Sequence, residues 1–258
     1  MARPQTLNLL ITGAGSGIGE ALTRHFAAAG QRVIAADLNA NAVTALAAEL
    51  KHQGQQVTPV TLDVASQANI EAAIAGLKAG PPHVLINNAG LQHVSPLVEF
   101  PPEQWQRLVA VMLTGAAMLT RAVLPGMRAA GFGRIVNIGS IHSLVASPFK
   151  SAYVAAKHGL LGFSKVVALE TADCDITINT ICPSYVKTPL VDRQIAEQAR
   201  ARGIPESEVI AKVMLQPMPK GVFIGIDELA GIATFLMSPA ARNITGQTIV
   251  VDGGWTAQ

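Results

Sequence analysis

The chain has 258 residues; half of them are apolar, 14% are charged, and the formal net charge is +2. This composition supplies a substantial core and excludes a disordered chain. Because no basic block appears, we expect no nucleic-acid partner. The apolar runs fall short of the roughly 20 residues of a membrane helix, and the first residues lack a secretory signal pattern. We therefore expect no membrane association.

The cysteines and histidines give no sign of a metal site. Cys174 and Cys182 form neither a CxxC pair nor a zinc-ligand spacing. We expect both to be reduced thiols of a cytoplasmic protein. The six histidines also show no ligand pattern, which disfavours a metal hydrolase.

Short apolar segments alternate with helical segments along the chain. The predicted helices include residues 17–29, 40–52 and 66–79, which are rich in alanine and leucine. The predicted strands, apolar on both faces as buried parallel strands are, cover residues 7–12, 32–37, 57–63, 83–90, 133–140, 176–183 and 247–254. This alternation predicts an α/β fold with a doubly wound, seven-stranded parallel sheet and helices on both faces.

No linker or internal repeat divides the chain, so we expect a single domain over residues 1–258. Residues 188–222 interrupt the rhythm with a polar segment that is helical in pattern and bounded by prolines. An insertion after the sixth strand lies at the carboxyl end of a parallel sheet, where ligands bind. This segment is a candidate helical lid over the substrate.

The turn TGAGSGIG connects the first predicted strand with the first helix. It carries Gly13, Gly17 and Gly19, with Ser16 and Ile18 between them. Glycines allow a tight turn and let backbone N–H groups approach a pyrophosphate, which the helix N-terminus also favours. An ordinary turn is the alternative, but its place between strand and helix favours a dinucleotide site.

Asp37 ends the second predicted strand. A carboxylate at this position accepts hydrogen bonds from the adenosine ribose and repels a 2′-phosphate. A plain strand-end cap is the alternative. Together with the glycine turn, Asp37 predicts a Rossmann fold that binds NAD rather than its phosphorylated relative.

Three further motifs accompany the glycine turn: NNAG at residues 87–90, Ser140, and Tyr153 four residues before Lys157. The combination resembles the short-chain dehydrogenase/reductase family over essentially the whole chain, down to DGGW near its end. The resemblance implies an oxidoreductase in which Ser140, Tyr153 and Lys157 are the catalytic residues.

The chemistry of these residue types agrees with such roles. A free phenol loses its proton near pH 10, so it is a poor base at neutral pH. Lys157 and an oxidised nicotinamide would favour the phenolate, and Tyr153 would then take the alcohol proton while hydride passes to the cofactor. Ser140 would hold the reacting oxygen, and Lys157 would also bind the nicotinamide ribose. A surface Tyr–Lys pair is the alternative.

The resemblance also implies cofactor contacts at several strand ends. They are Asp63 and Val64 against the adenine, Asn88, Ala89 and Gly90 along the middle of the cofactor, and Pro183, Val186 and Thr188 along the nicotinamide. The family usually has Pro-Gly where this chain has Pro183-Ser184. We expect the main chain to serve there all the same.

Met112 is a second departure, because the family commonly has an asparagine at this position to hold a water of the proton relay. A thioether is a weak acceptor and cannot donate. The sequence therefore predicts a relay that runs differently or is weaker.

Four polar residues narrow the substrate: Gln92, His142, Lys150 and Gln194. The set resembles that of bacterial D-3-hydroxybutyrate dehydrogenases, in which matching residues hold the substrate carboxylate. A cation with neutral donors in a closed site binds an anion through charge-assisted hydrogen bonds. With Ser140 and Tyr153 they form the expected substrate site. The expected reaction is the reversible, NAD-dependent oxidation of a short 3-hydroxy acid, (R)-3-hydroxybutyrate, to acetoacetate.

Two other functions stay open at this point. A dehydrogenase of a neutral cyclic or aromatic secondary alcohol would use the same Tyr153 chemistry with a different pocket. A non-catalytic NAD-binding sensor needs no proton donor, so the catalytic set argues against it. By resemblance we expect a homotetramer built through the fourth and fifth helices and the C-terminal region, with a small hydroxy acid or keto acid as its ligand.

Overall fold

The strands form a parallel sheet at the centre of the molecule. The computed structural model describes residues 4–78 and 80–257. The strands are β1 (Asn8–Thr12), β2 (Arg32–Asp37), β3 (Val57–Thr61), β4 (Val84–Asn87), β5 (Phe132–Ile138), β6 (Asp175–Pro183) and β7 (Thr248–Val251). Their order is β3-β2-β1-β4-β5-β6-β7, and every pairing is parallel. The chain reverses its direction of winding between β1 and β4, so the predicted doubly wound, seven-stranded sheet is confirmed.

Helices cover both faces of this sheet. They are α1 (Gly17–Ala28), α2 (Ala40–His52), α3 (Gln67–Ala75), α4 (Pro102–Val109), α5 (Gly115–Ala130), α6 (Ser151–Glu170), α7 (Pro189–Arg202), α8 (Glu206–Glu208) and α9 (Ile226–Met237). Adjacent strand residues point to opposite faces. Leu9 accordingly belongs to the core on one face, with Leu22 of α1, and Leu10 to the core on the other, with Val123 of α5. Two buried layers therefore hold the sheet between them.

Several strands end earlier than the sequence predicts. β3 stops at Thr61, β4 at Asn87 and β7 at Val251. The backbone beyond β4 leaves the ladder because the Thr12 hydroxyl at the end of β1 accepts from both Asn88 N and Ala89 N, each at 3.0 Å. The strand ends are thus turned outward at the edge where parallel sheets bind ligands.

A long apolar helix runs along one face of the sheet. α4, a π-helical turn at Ala110–Thr114, and α5 form one continuous helix, Pro102–Ala130. With a mean hydropathy of 1.7 in its most apolar window, it is long and apolar enough to cross a membrane, which the apolar runs of the sequence had not indicated. It packs against α3, α6 and β5. Core helices pass the same test of length and composition, so one such helix is weak evidence for a membrane span.

The segment expected as a lid, residues 188–222, is helical. It contains α7, α8 and a π-helical turn at Val209–Leu215. Val191, Ile195 and Met214 form a small apolar cluster of their own, against which Tyr185 packs. The segment therefore has its own core at the carboxyl end of the sheet.

Candidate active site

A cleft of about 340 Å³ opens at the carboxyl ends of the strands. Most of the predicted site residues line it: Gly13, Ser16, Gly17, Ile18, Asp37, Asn88, Gly90, Gln92, Ser140, His142, Lys150, Tyr153, Lys157, Pro183, Val186, Thr188 and Gln194. Gly19, Asp63, Val64 and Ala89 are not among its lining residues. Gly19 packs against the carbonyl oxygen of Gly13 within the glycine turn. Asp63 accepts a hydrogen bond from Ala65 N at 2.9 Å. Val64 and Ala89 line a smaller cavity.

The glycine turn is held in place by close backbone packing. Gly13 has a φ of +66°, a left-handed conformation that glycine adopts without steric cost. A Cβ atom at Gly19 would lie 2.1 Å from the Gly13 carbonyl oxygen, so no side chain fits there. The Asn88 side-chain amide donates to the Thr12 carbonyl at 2.9 Å. These contacts position the N-terminus of α1 to bind an anion.

Asp37 lies at the end of β2 beside the glycine turn. Its Oδ2 accepts from Gly15 N at 2.9 Å and its Oδ1 from Asn39 N at 2.8 Å. A carboxylate has about four lone-pair positions, so acceptor capacity remains on the side that faces the cleft. The carboxylate therefore both fixes the turn and places a negative charge on the cleft wall.

Ser140, Tyr153 and Lys157 meet on the wall formed by the end of β5 and the first turns of α6. Lys157 is 5% exposed, and its Nζ donates to the Ile138 carbonyl at 2.6 Å and lies 5.7 Å from the centre of the Tyr153 ring. Burial lowers the pKa of Lys157 to about 8. The Ser140 hydroxyl accepts from His142 N at 3.1 Å, which fixes its oxygen at the cleft.

In the protein alone the phenol of Tyr153 keeps its proton. Burial raises the pKa of Tyr153, and a hydrogen bond with Ser140, which acts in the opposite direction, does not compensate for it. The expected phenolate depends on Lys157 together with an oxidised nicotinamide, so it stays a prediction. The protein by itself holds Tyr153 as a neutral phenol, which is a proton donor at neutral pH.

The other end of the cleft is cationic and contains buried neutral groups. Lys150 is 8% exposed, and its Nζ lies 3.2 Å from His142 Nε2. Burial lowers the pKa of Lys150 to about 8. Burial, with the charge of Lys150, lowers the pKa of His142 to about 3, so this imidazole is neutral. Gln92 and Gln194 line the same cleft. Among the described lining residues, the one carboxylate is Asp37.

Comparison with known proteins places this geometry in a family. The chain matches the family model of short chain dehydrogenases over residues 8–199. It is 44% identical over 257 residues to the D-beta-hydroxybutyrate dehydrogenase of Rhizobium meliloti, covering 98% of this chain and 100% of the relative. It is also 44% identical over 252 residues to the D-beta-hydroxybutyrate dehydrogenase of Cupriavidus necator, with 96% and 97% covered.

The chain belongs to the short-chain dehydrogenase family. It is an oxidoreductase, and its Rossmann fold binds a nicotinamide cofactor. A solved actinorhodin polyketide ketoreductase with NADPH has a TM-score of 0.93 at 32% identity, with 100% of both chains covered. Since a neighbour of the same fold carries the phosphorylated cofactor, the choice between NAD and NADP depends on side chains rather than on the fold.

This short-chain dehydrogenase keeps the main-chain turn at Pro183-Ser184 without the glycine usual in the family. Ser184 N donates to the Val251 carbonyl at 2.9 Å, and the Ser184 hydroxyl contacts the sulfur of Met218 at 3.3 Å. Within the described residues, Phe149 is the one non-glycine residue with a positive φ, so Ser184 is not in the left-handed region. The turn has no need of a glycine here, and the main chain faces the cleft as expected.

Met112 lies in the π-helical turn between α4 and α5. It is 2% exposed and belongs to an apolar cluster with Phe100, Leu108 and Ala156. It also borders a cavity of about 10 Å³ that Lys157 lines. That volume is close to the smallest space that holds one water molecule. A proton relay that differs from the one usual in the family stays a prediction.

An aromatic residue of the cleft and a second one stacked on it had no assigned role in the sequence. Tyr185 lines the cleft and stacks on Trp255, with ring centres 6.2 Å apart and planes at 25°. Trp255 also meets the edge of His142, with ring centres 6.1 Å apart. Tyr185 lies in the segment PSYVKT and Trp255 in DGGW near the end of the chain. A single aromatic residue in a loop does not predict a contact with another loop, so the sequence alone did not indicate this stacking.

Replacing Met112 by asparagine tests the relay. We expect Met112→Asn to leave kcat unchanged or to lower it, because the amide would enter an apolar cluster. A buried amide without partners should also lower the free energy of unfolding by about 1–3 kcal/mol. Met112→Leu, which has no polar atom, is the control and should keep both properties. Turnover and denaturant unfolding are measured; a clear gain in kcat for the asparagine variant would contradict this expectation.

Proposed function

We propose that this short-chain dehydrogenase catalyses the NAD-dependent, reversible oxidation of (R)-3-hydroxybutyrate to acetoacetate. The observation that carries the proposal is the buried Lys150 beside a neutral His142, at an end of the cleft where no described lining residue is acidic. A small carboxylate would pair with the charge of Lys150 and accept hydrogen bonds at this end of the cleft. The relatives named D-beta-hydroxybutyrate dehydrogenase support the same choice.

The substrate would lie across the cleft with its two polar ends separated. Its C3 hydroxyl would sit between Ser140 and Tyr153, and its carboxylate would meet Lys150, His142 and Gln92. Residues 188–222 would act as the lid of the single domain and bring Gln194 of α7 to the carboxylate on closure. Closure would also exclude water, which strengthens the bonds to both ends.

Proton transfer is assigned to Tyr153. In the reducing direction it donates its proton to the C3 oxygen, and in the oxidising direction its phenolate form accepts the proton of the C3 hydroxyl. A bound oxidised nicotinamide would supply the hydride acceptor, and its positive charge would favour the phenolate. Lys157 keeps an ammonium beside Tyr153 below about pH 8 and donates to the nicotinamide ribose. Ser140 holds the reacting oxygen.

NAD is the proposed cofactor because of Asp37. Its carboxylate accepts from Gly15 N of the glycine turn and from Asn39 N, which fixes its orientation, and the adenosine ribose would bind beside it. A 2′-phosphate there would face this negative charge at close range. The remaining cofactor contacts are those of the glycine turn, of Asp63, Val64, Asn88, Ala89 and Gly90, and of Pro183, Val186 and Thr188.

Assembly and location are part of the proposal. We place the protein in the cytoplasm as a homotetramer, with contacts through the continuous helix Pro102–Ala130, through α6 and through the C-terminal region. Two exposed apolar side chains of α6, Val166 at 54% and Leu169 at 80% exposure, suit such contacts. The mass in solution tests this directly.

A neutral cyclic or aromatic secondary alcohol is the second candidate substrate. Tyr185 favours it, since this residue lines the cleft with an aromatic ring that Trp255 supports by stacking. Cyclohexanol and 1-phenylethanol assayed beside 3-hydroxybutyrate separate the two candidates, because a carboxylate site gives neither alcohol an advantage.

Removing the Tyr153 hydroxyl tests the proton-transfer role. We expect Tyr153→Phe to lower kcat by a factor on the order of 10² or more, since general acid–base catalysis contributes that much. NADH binding should survive because the ring still fills its space. The matched control is Tyr185→Phe, which removes the hydroxyl of the chain's other tyrosine and should retain turnover. Substantial oxidation by Tyr153→Phe would rule out the assigned base.

Neutralising Asp37 tests the cofactor preference. We expect Asp37→Asn to weaken NAD binding and to raise the efficiency with NADP relative to NAD, because the amide oxygen still accepts from Gly15 N while the charge is gone. Asp37→Ala loses both the charge and that bond, so it should also disturb the turn. The measurement is kcat/KM with each cofactor. Equal use of both cofactors by the unaltered enzyme would defeat the assignment.

Removing the Lys150 ammonium tests the substrate. A hydrogen bond to a charged group contributes about 1.5–3 kcal/mol, so Lys150→Met should lower kcat/KM for 3-hydroxybutyrate by about ten- to a hundredfold. The efficiency with 2-butanol should barely change, since that alcohol has no carboxylate. Lys165→Met, at an exposed position of α6, is the control and should alter neither.

The pH dependence gives a second readout of the same group. The pKa of Lys150 is lowered to about 8, so its positive charge is present below that pH and is lost above it. The ratio of kcat/KM for 3-hydroxybutyrate to that for 2-butanol should therefore fall as the pH rises through about 8. A ratio that neither pH nor Lys150→Met alters would make the neutral alcohol the better candidate.

A further inference from the structure

Phe149 has a backbone conformation that its side chain does not favour. Its φ is +69°, and it is the one non-glycine residue with a positive φ in the part of the chain that the structure describes. In this left-handed region the Cβ atom crowds the following carbonyl, so glycine and asparagine occupy it more readily than bulky residues do. Such an outlier persists only where the surrounding structure imposes it.

Packing of the phenylalanine ring does not account for this conformation. The residue is 53% exposed, so most of the hydrophobic gain from burying the ring is absent. The backbone, in contrast, is engaged: the Phe149 carbonyl accepts from Ser95 N at 2.9 Å. The left-handed conformation therefore sets the direction of the backbone at Phe149 and its hydrogen bond to Ser95, and the contacts of the ring do not explain it.

The hydrogen bond between Ser95 N and the Phe149 carbonyl connects two loops of the cleft. Ser95 lies on the loop after β4, which carries Gln92. Phe149 directly precedes Lys150, whose side chain turns inward to His142 Nε2 at 3.2 Å just before α6 begins at Ser151. The Ser95–Phe149 bond thus connects the loop of Gln92 to the segment that aims Lys150.

We propose that Phe149 is a positioning residue for substrate binding, acting through its left-handed backbone. The conformation turns Lys150 into the cleft and fixes the loop of Gln92 against the start of α6. The proposal rests on the proposed function in one respect, namely that the Lys150 end of the cleft takes the carboxylate. The phenylalanine ring itself has no part in it.

Two substitutions separate the backbone from the ring. Phe149→Asn and Phe149→Val both remove the ring, but asparagine tolerates a positive φ and a β-branched residue does not. We expect Phe149→Asn to keep the KM for 3-hydroxybutyrate within about twofold. Phe149→Val should raise that KM by about tenfold, in line with the cost of a disfavoured conformation, while kcat/KM for 2-butanol stays unchanged. Equal losses in both variants, or no loss in either, would overturn the proposal.

A second pair of variants tests the hydrogen bond. Ser95→Pro deletes the N–H that Phe149 O accepts, whereas Ser95→Ala keeps it. We expect Ser95→Pro to raise the KM for the hydroxy acid and Ser95→Ala to leave it unchanged. The efficiency with 2-butanol and the circular dichroism spectrum report whether each variant is folded. An unchanged KM in a folded Ser95→Pro variant would remove the proposed connection between the loops.

A readout without substrate separates this proposal from the proposed function. Labelling of Lys150 by acetic anhydride, located by mass spectrometry, reports how well its amine is enclosed. Labelling should be several-fold faster in Phe149→Val than in Phe149→Asn or the unaltered enzyme. If the unaltered enzyme fails to oxidise 3-hydroxybutyrate but the labelling order holds, the proposed substrate is wrong and the positioning role stands. Equal labelling in all three would refute the positioning role.

Discussion

Two lysine ammonium groups are buried in this cleft with neutral hydrogen-bond acceptors and, among the side chains that the structure describes, no carboxylate beside them. Lys157 donates to the Ile138 carbonyl, and Lys150 lies within hydrogen-bond distance of His142 Nε2. A neutral acceptor satisfies a donor but leaves its charge uncompensated, so burial lowers both pKa values to about 8. The charges remain available to an anion that enters. The chemistry of the whole site follows from this arrangement, because a partner carboxylate would have cancelled it.

Lys157 is held in its place because α6, the helix that carries it, is fixed to the sheet. Asn87 at the end of β4 donates to Asn137 Oδ1 in β5 at 2.8 Å, and Asn137 Nδ2 donates to the Ser164 hydroxyl of α6 at 2.9 Å. Ser164 also bonds Thr180 of β6 at 3.1 Å. Buried polar networks with every member paired specify one arrangement of their elements. This network sets the register of α6, and with it the positions of Tyr153 and Lys157, against three strands at once.

The architecture was accessible from the sequence because it depends on periodic patterns. Alternating strands and helices dictate a parallel sheet whose carboxyl ends share one edge, so Asp37 and Ser140, at the ends of two strands, line the same cleft. The roles of Ser140, Tyr153 and Lys157 came instead from the resemblance to the family. The pKa of Tyr153 was not accessible, because the expectation rested on the charges of Lys157 and an oxidised nicotinamide, whereas burial raises this pKa.

Features that arise from single loop residues were also beyond sequence patterns. The stacking of Tyr185 on Trp255 joins positions far apart in the chain, and neither residue stands in a periodic segment. The left-handed backbone of Phe149 is a property of the fold, since its sequence context, SPFKS, contains no glycine or asparagine to announce it.

The protonation of His142 bears on the choice between an acid and a neutral substrate. Because the Lys150 ammonium only donates, His142 Nε2 must accept, so the hydrogen of the neutral ring is on Nδ1. Nδ1 is buried and has no hydrogen-bond partner within the described residues. A buried donor left unpaired costs about 1–3 kcal/mol, and this nitrogen has almost no surface through which a ligand in the cleft could pair with it. The proposed preference for an acid therefore depends on the Lys150 ammonium, a donor that a carboxylate can engage and a cyclic alcohol bound by its single hydroxyl at Tyr153 cannot.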